Sequence, residues 1–178
     1  MASYTDRMIR AAKLDVTLYE EVEADKGALG QAMGVVILSS VAAGIGTVAA
    51  TGSTGLFFGT LAALLGWFIW AFLTYFIGTR LLPETQTKAD YGELLRTIGF
   101  SSSPGVLRVL GIIPMIGPIL NFFIGIWMLV AMVIAVRQAL DYTSTWRAVG
   151  VCLIGWIIQM AIFALFLWLV GGIEAPQA

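Results

Sequence analysis

The side chains that most often carry chemistry are scarce in this sequence. Of its 178 residues, none is histidine, one is cysteine (Cys152), ten are Lys or Arg and eleven are Asp or Glu. Histidine is the commonest general base and metal ligand, and thiolate metal or redox sites need several cysteines. We therefore expect no catalytic residue, no metal site and no cofactor, and the sequence argues against an enzyme.

Hydroxyl groups and prolines interrupt one apolar stretch, residues 94–117 (LLRTIGFSSSPGVLRVLGIIPMIG). Pro104 lacks an N–H and its ring clashes with the carbonyl of Phe100, four residues earlier, so a helix here should kink or break. Irregular backbone in lipid needs other partners for the freed groups, and three serines can supply them: Ser101, Ser102 and Ser103. Such breaks line binding sites in transporters; the alternative is a structural kink packed against its neighbours.

Arg108 would be the one charge inside a membrane span, near the centre if residues 97–116 are helical. Inserting it costs about 2.5–3.5 kcal/mol, which partners must offset. The candidate acceptors are the carbonyls opened at the break, Asn121, Gln159 and a lipid phosphate. The residue predicts either an anion or headgroup contact, or a snorkelling arginine that anchors the helix.

Composition places these residues in a bilayer. The chain is 59% apolar and 12% charged, with a mean hydropathy of +0.90, whereas a soluble domain is about one half apolar and one quarter charged. This excludes a basic nucleic-acid binder. A span needs about 20 apolar residues, and charge-free windows of this length predict four spans, with a turn at 51–55: 30–50, 56–79, 118–137 and 147–171.

The topology depends on residues 94–117. If this segment crosses the membrane, nine of the ten basic residues fall on one side and Arg108 lies within the span. If the segment dips and returns, Arg137 and Arg147 change sides and the bias weakens to seven against two. The positive-inside rule therefore favours five spans, with the N-terminus in the cytoplasm and the C-terminus outside.

Residues 1–29 predict two short helices ahead of the first span. The first has opposed apolar and basic faces: Met8, Ile9 and Ala12 against Arg7, Arg10 and Lys13. This pattern is typical of a helix lying on an anionic leaflet, and a solvated tail is the alternative. Asp15 should cap the second helix, and Asp25 should cap the first span.

Two cytoplasmic loops, 80–96 and 137–147, complete a polar cap. Asp90 should begin a short amphipathic helix whose apolar side faces the membrane through Tyr91, Leu94 and Leu95. The second loop contributes Asp141 and Tyr142. The cap predicts a docking surface, and the alternative is an ordinary solvated rim.

Small residues recur at four-residue spacing on the first two spans: Ser40/Gly44, Ala42/Gly46, Gly46/Ala50, Gly55/Gly59 and Ala62/Gly66. Small residues allow helix backbones to approach closely. The two spans should therefore pack as a hairpin, or alternatively against a partner chain.

Several motifs together resemble the Yip1 domain family over residues 14–171: Leu18-Tyr19-Glu20-Glu21-Val22-Glu23, Tyr91-Gly92, Gly99 to Pro104, Arg137 to Tyr142, and Thr145-Trp146. The resemblance implies a five-helix membrane domain with a cytoplasmic N-terminus and no catalytic residues. Eukaryotic members act in early secretory membranes and associate with Rab GTPases and with one another. This chain has no Asp-Leu-Tyr-Gly-Pro motif and is similar to the short prokaryotic members, so a Rab-type GTPase is not an expected partner.

The sequence thus predicts an all-α integral membrane protein of the bacterial inner membrane, with five spans and the third broken near Ser103-Pro104. Its parts are a cytoplasmic amphipathic segment (1–29), a membrane domain (30–171) and a tail (172–178). We expect a scaffold that acts on protein or lipid partners, or alternatively a small permease or lipid-handling protein built around Arg108. The bilayer, a membrane protein or a second copy are the expected partners, and nucleic acid is not. The candidate interaction residues are Arg108, Pro104, Ser101, Ser102, Ser103, Asn121, Tyr91, Asp141 and Tyr142.

Overall fold

A computed structural model describes residues 3–113 and 115–171, with the side chains of 47–55, 163, 166, 167 and 169–171 excepted. Within these ranges every regular element is helical. The tail predicted at 172–178 lies outside the described residues. The α-helices are α1 (Tyr4–Ala12), α2 (Val16–Ala24), α3 (Leu29–Phe76), α4 (Tyr91–Ser101), α5 (Gly117–Ala139) and α6 (Thr145–Gly171). A 3-10 turn (Lys26–Ala28) precedes α3, a π-helical turn (Ile77–Leu81) follows it, and a 3-10 helix (Ser103–Ile112) follows α4.

Aspartates begin the shorter elements, as predicted for α2 and α4, whereas Asp25 caps the 3-10 turn and not α3 itself, whose N-cap residue is Ala28. Asp15 accepts a hydrogen bond from the Thr17 amide at 2.9 Å and caps α2, and Asp25 accepts from the Gly27 amide at the turn that leads into α3. Asp90 forms a reciprocal capping box with Glu93 at the start of α4. Each carboxylate satisfies an amide that the first helical turn leaves unpaired.

The two halves of α3 lie against each other, although the backbone of α3 is helical from Leu29 to Phe76. A Cβ built on Gly44 would lie 3.5 Å from the Leu56 Cα, whereas twelve residues of straight helix span about 18 Å. The chain therefore reverses between them, around the predicted turn. We call the halves α3a (residues 29–46) and α3b (residues 56–76).

Among the residues that the structure describes, four helical stretches are long and apolar enough to cross a membrane: Lys26–Gly46, Leu56–Leu81, Gly117–Ala139 and Thr145–Ile162. They coincide with the four charge-free windows. Residues 94–117 form no such helix, because α4 ends at Ser101 and the chain continues as the 3-10 helix.

The segment formed by α4 and the 3-10 helix follows α3a along its length. Gly99 packs against Ala32 near the start of α3a, and the carbonyl of Arg108 packs against Gly46 at the other end. Gly111 lies beside Asn121 near the start of α5. The segment therefore runs beside α3a and antiparallel to α5.

The main apolar core lies at the end of the bundle where α2 packs on α4 and α5. Leu18, Tyr19 and Val22 of α2 are fully buried there. Leu94 and Leu95 are 0% and 5% exposed and belong to this core. The prediction that they face the membrane is wrong, because α2, α3 and α5 all pack on α4.

The basic face of α1 turns toward the protein. Arg7 is 5% exposed and pairs with Glu21 and Asp25, while Ile9 on the opposite side is 54% exposed. The helix is therefore packed on the protein and is not the solvated tail of the alternative, while its lying on an anionic leaflet stays a prediction. The acidic residues of α2 attract the arginines inward.

Candidate functional site

Local hydrogen bonds by serine side chains accompany the change of helix type at Pro104. The Oγ of Ser103 donates to the Phe100 carbonyl at 2.7 Å, and the Oγ of Ser101 donates to the Ile98 carbonyl at 2.7 Å. The Phe100 carbonyl is the one that a proline at position 104 leaves without its helical donor. The serines therefore satisfy the backbone at the point where the α-helix ends.

Arg108 projects from the 3-10 helix toward α5. Its Nη2 lies 4.0 Å from where a Cβ on Gly125 would be, so the guanidinium lies beside α5 at Gly125. Gly125 is about 12 Å along α5 from the start of that helix. Across the described ranges 3–113 and 115–171, the guanidinium makes no hydrogen bond and no ion pair.

The acceptors predicted for Arg108 are nearby but not bonded to it. The Phe100 and Ile98 carbonyls already accept from serines. Asn121 and Gln159 line cavities that Arg108 also lines. The Asn121 Oδ1 is buried and has no hydrogen-bond partner.

Two cavities meet at Arg108. The larger, about 850 Å³, lies between both halves of α3, the 3-10 helix, α5 and α6. The smaller, about 490 Å³, lies between the 3-10 helix and α5. Their shared wall consists of Ser102, Arg108, Met128 and Met132, and no Asp or Glu is among the described residues that line either cavity.

The small residues of the first two spans have two different roles. Gly44 packs closely against Leu56, and Gly46 packs against the Arg108 carbonyl. Gly59 and Gly66 line the larger cavity, and a Cβ at either would meet no atom within 4 Å. The predicted close packing is thus found on α3a, while the glycines of α3b open the cavity.

The end of the bundle away from Arg108 is polar and is formed by α1, α2 and the loops 82–90 and 140–144. We call it the polar end. Glu84 connects the loops, because it accepts hydrogen bonds from the amide and hydroxyl of Thr143 and from the amide of Ser144. These bonds lower the pKa of Glu84 to about 2. Arg147 donates to the Pro83 carbonyl at 2.8 Å and lies 3.4 Å from Glu84.

The candidate residues of the predicted cap, Tyr91, Asp141 and Tyr142, connect neighbouring segments or let the chain turn. Tyr142 donates to the carbonyls of Gly78 and Leu82, and burial raises its pKa to about 12. Asp141 has a φ of 53° just after α5, which lets the chain leave the helix. Tyr91 donates to the Phe68 carbonyl at 2.8 Å.

The partners of two charged side chains at the polar end were not predicted from the sequence. Arg7 donates to Glu21, Asp25 and Gln31 and joins α1 to α2 and α3. Arg96 donates to the carbonyls of Val22 and Glu23, at the end of α2. Residues so distant in the chain left no signal of this pairing.

Glu23 also escaped sequence analysis. Burial, with the nearby negative charges of Glu93, Asp141 and Glu20, raises its pKa to about 7.

A polar cavity of about 480 Å³ opens at the same end and is lined by Glu20, Gln86, Arg137, Gln138, Asp141, Tyr142 and Thr143. In the part of the chain that the structure describes, no group of three His, Cys, Asp or Glu residues is placed to hold a metal ion.

Comparison with known proteins gives one match. The family model of the Yip1 domain matches residues 18–170, which is most of the chain. No curated protein and no solved structure matches.

Proposed function

This chain belongs to the Yip1 domain family, and on that premise we propose that it is a non-enzymatic scaffold of the bacterial inner membrane that organises protein or lipid partners. The family and the apolar helices make it a membrane protein. The partner-binding surface in this proposal is the polar end, on the cytoplasmic side.

The proposal includes five spans, with α4 and the 3-10 helix as a broken third span. Contact between the loops 82–90 and 140–144 supports this topology, because it brings the end of α3b and the end of α5 to the same side. The chain must then pass from that side to the start of α5. Eleven α-helical and ten 3-10 residues extend about 36 Å, enough for a core of about 30 Å.

The order of the polar end is the observation that carries the scaffold proposal. Its loops and helices are held by charged hydrogen bonds from Arg7 to Glu21, from Arg96 to the Val22 carbonyl and from Thr143 to Glu84. A preformed polar surface loses little conformational freedom when it binds a partner. A simple solvated rim would not need these bonds.

Site-specific photo-crosslinking in cells tests this proposal. A photo-reactive residue at exposed Gln86 should yield a reproducible adduct with another membrane protein or a second copy. The control position is Met115, which is 90% exposed on the far side of the bundle. If Gln86 gives no adduct, or the same adducts as Met115, the polar end is not the partner-binding surface.

A second candidate function is supported by Arg108, which lines two cavities without a bonded partner among the described residues. In this alternative the protein moves lipids or small solutes past the broken span. Proteoliposomes should show phospholipid scrambling that Arg108→Ala abolishes. Equal rates in protein-containing and empty vesicles would eliminate this function.

A further inference from the structure

The charge of Arg108 has no compensation from the residues around it. In the described parts of the chain, no Asp or Glu lines either cavity and the guanidinium has no bonded partner. A cation beside lipid is costly unless an anion or a set of acceptors is present. The site therefore favours an anion.

The polar groups near Arg108 can donate hydrogen bonds to that anion. Gln159, Ser39 and Ser102 also line the larger cavity. None of them has an acidic side chain that would compete for the guanidinium. A guanidinium presents five donors in a planar fork that matches a phosphate, and hydroxyl and amide groups supply further donors.

The rest of the larger cavity is apolar and reaches the outer surface of the bundle. Its apolar walls carry Trp67, Trp70, Met128, Met132, Trp156 and Met160. Trp156 and Met160 are 57% and 48% exposed on α6, so the cavity borders the region that lipid chains occupy. A ligand with a phosphate and an acyl chain fits this combination.

We infer that the cavity binds an anionic phospholipid, with its phosphate on Arg108 and an acyl chain along the apolar wall toward α6. This inference deepens the second candidate function and rests on it for the location of the site in the membrane. Binding itself requires no lipid movement. A bound lipid would also fill the space that Gly59 and Gly66 leave between the spans.

The test is equilibrium lipid binding to the full chain, purified in detergent and stripped of lipid. The probes are phosphatidylglycerol and phosphatidylcholine, detected as bound lipid by native mass spectrometry. We expect phosphatidylglycerol to bind at least tenfold more tightly, because its net charge is negative, whereas phosphatidylcholine brings a choline cation to a site that has a cation and no acidic residue among the described residues that line it. Arg108→Gln should remove that preference, and Arg108→Lys should retain part of it.

A second pair of variants tests the cavity and leaves the charge unchanged. Gly66→Leu places a side chain in the cavity from α3b, whereas Gly30→Leu places the same side chain on α3a outside the cavity, and a Cβ at either glycine meets no neighbour. Gly66→Leu should weaken phosphatidylglycerol binding at least tenfold, and Gly30→Leu should not change it. Because neither variant touches Arg108, this pair is informative even if Arg108→Gln does not fold.

Three results would overturn the inference. One is an unchanged phosphatidylglycerol preference in a folded Arg108→Gln. Another is an equal loss in Gly66→Leu and Gly30→Leu. The third is full competition by millimolar inorganic phosphate, which would make the ligand a free anion. Phospholipid scrambling is measured in a separate experiment. Binding without scrambling would eliminate the second candidate function and leave the lipid site intact. Scrambling without selective binding would eliminate the lipid site and leave the second candidate function.

Discussion

At the scale of single residues, two carboxylates of the polar end have opposite environments. Glu84 accepts hydrogen bonds from Thr143 and Ser144, which favour its charged form and hold its pKa near 2. Glu23 lies partly buried beside other acids, and its pKa is raised to about 7. The neighbours, not the residue type, decide the charge state.

Glu23→Gln should stabilise the protein at alkaline pH. Because the pKa of Glu23 is raised on folding from about 4.5 to about 7, its contribution is fully present below pH 4.5 and is lost as the pH rises through 7. The variant stays neutral and should melt about 2–4 °C higher than the parent at pH 8. At pH 4.5 the two melting temperatures should agree.

Thermal unfolding in one detergent at both pH values measures this effect. Asp6→Asn, an exposed carboxylate of α1, is the control and should show the same difference at both. A Glu23→Gln difference that does not depend on pH would show that Glu23 is already charged at neutral pH in the folded protein.

Two adjacent serines allow the effect of the hydrogen bond at the helix break to be measured, because only one of them makes it. Ser103 is buried and donates to the Phe100 carbonyl, so Ser103→Ala should lower the free energy of unfolding by about 1–3 kcal/mol. Ser102 makes no side-chain hydrogen bond within the described ranges. Ser102→Ala should therefore have little effect, and chemical unfolding of both variants measures the difference. Equal losses would show that the Phe100 carbonyl finds another donor.

At the scale of elements, α1 depends on one arginine. Arg7 bonds Glu21 and Asp25 at 2.9 Å and Gln31 at 3.0 Å, and its removal takes one donor from each, although Glu21 keeps Arg10 and Asp25 keeps the Gly27 amide. Because both carboxylates are partly exposed, we expect Arg7→Ala to cost about 1–3 kcal/mol, less than the loss of a fully buried pair.

Hydrogen exchange over residues 4–12 measures that cost as faster exchange of α1. Lys13→Ala removes an exposed charge from the same region and should leave the exchange rates unchanged. If Arg7→Ala exchanges no faster than the parent, the apolar contacts of α1 hold the helix without the ion pairs.

At the scale of the whole molecule, the proposed topology depends on whether the number of spans is odd or even. With five spans, a cysteine at Thr5 and one at Gln177 lie on opposite sides of the membrane. In a Cys152→Ala background, Thr5→Cys should react only with reagents supplied from the cytoplasm, and Gln177→Cys only with an impermeant maleimide supplied from outside. Gln86→Cys should follow Thr5→Cys. Labelling of all three from the same side would mean an even number of spans.

Much of the fold could be predicted because its signals are local. Charge-free windows located the four long helices, and Asp15, Asp25 and Asp90 marked the starts of shorter ones. A cap depends on an amide only two or three residues away, so sequence order is enough. The orientation of α1 and the burial of Leu94 and Leu95 could not be predicted, because they depend on helices that pack on α1 and α4 from elsewhere in the chain.

The candidate site shows the same division. Sequence alone determined a membrane protein poor in titratable groups, with Arg108 isolated in an apolar segment after a serine-rich stretch. Only the tertiary structure decided that Asn121 and Gln159 lie near Arg108 without bonding it, that Gly59 and Gly66 open a cavity, and that Glu23 gathers acids around it. The physical reason is that hydropathy and caps act over a few residues, whereas cavities and clustered charges arise where several helices meet.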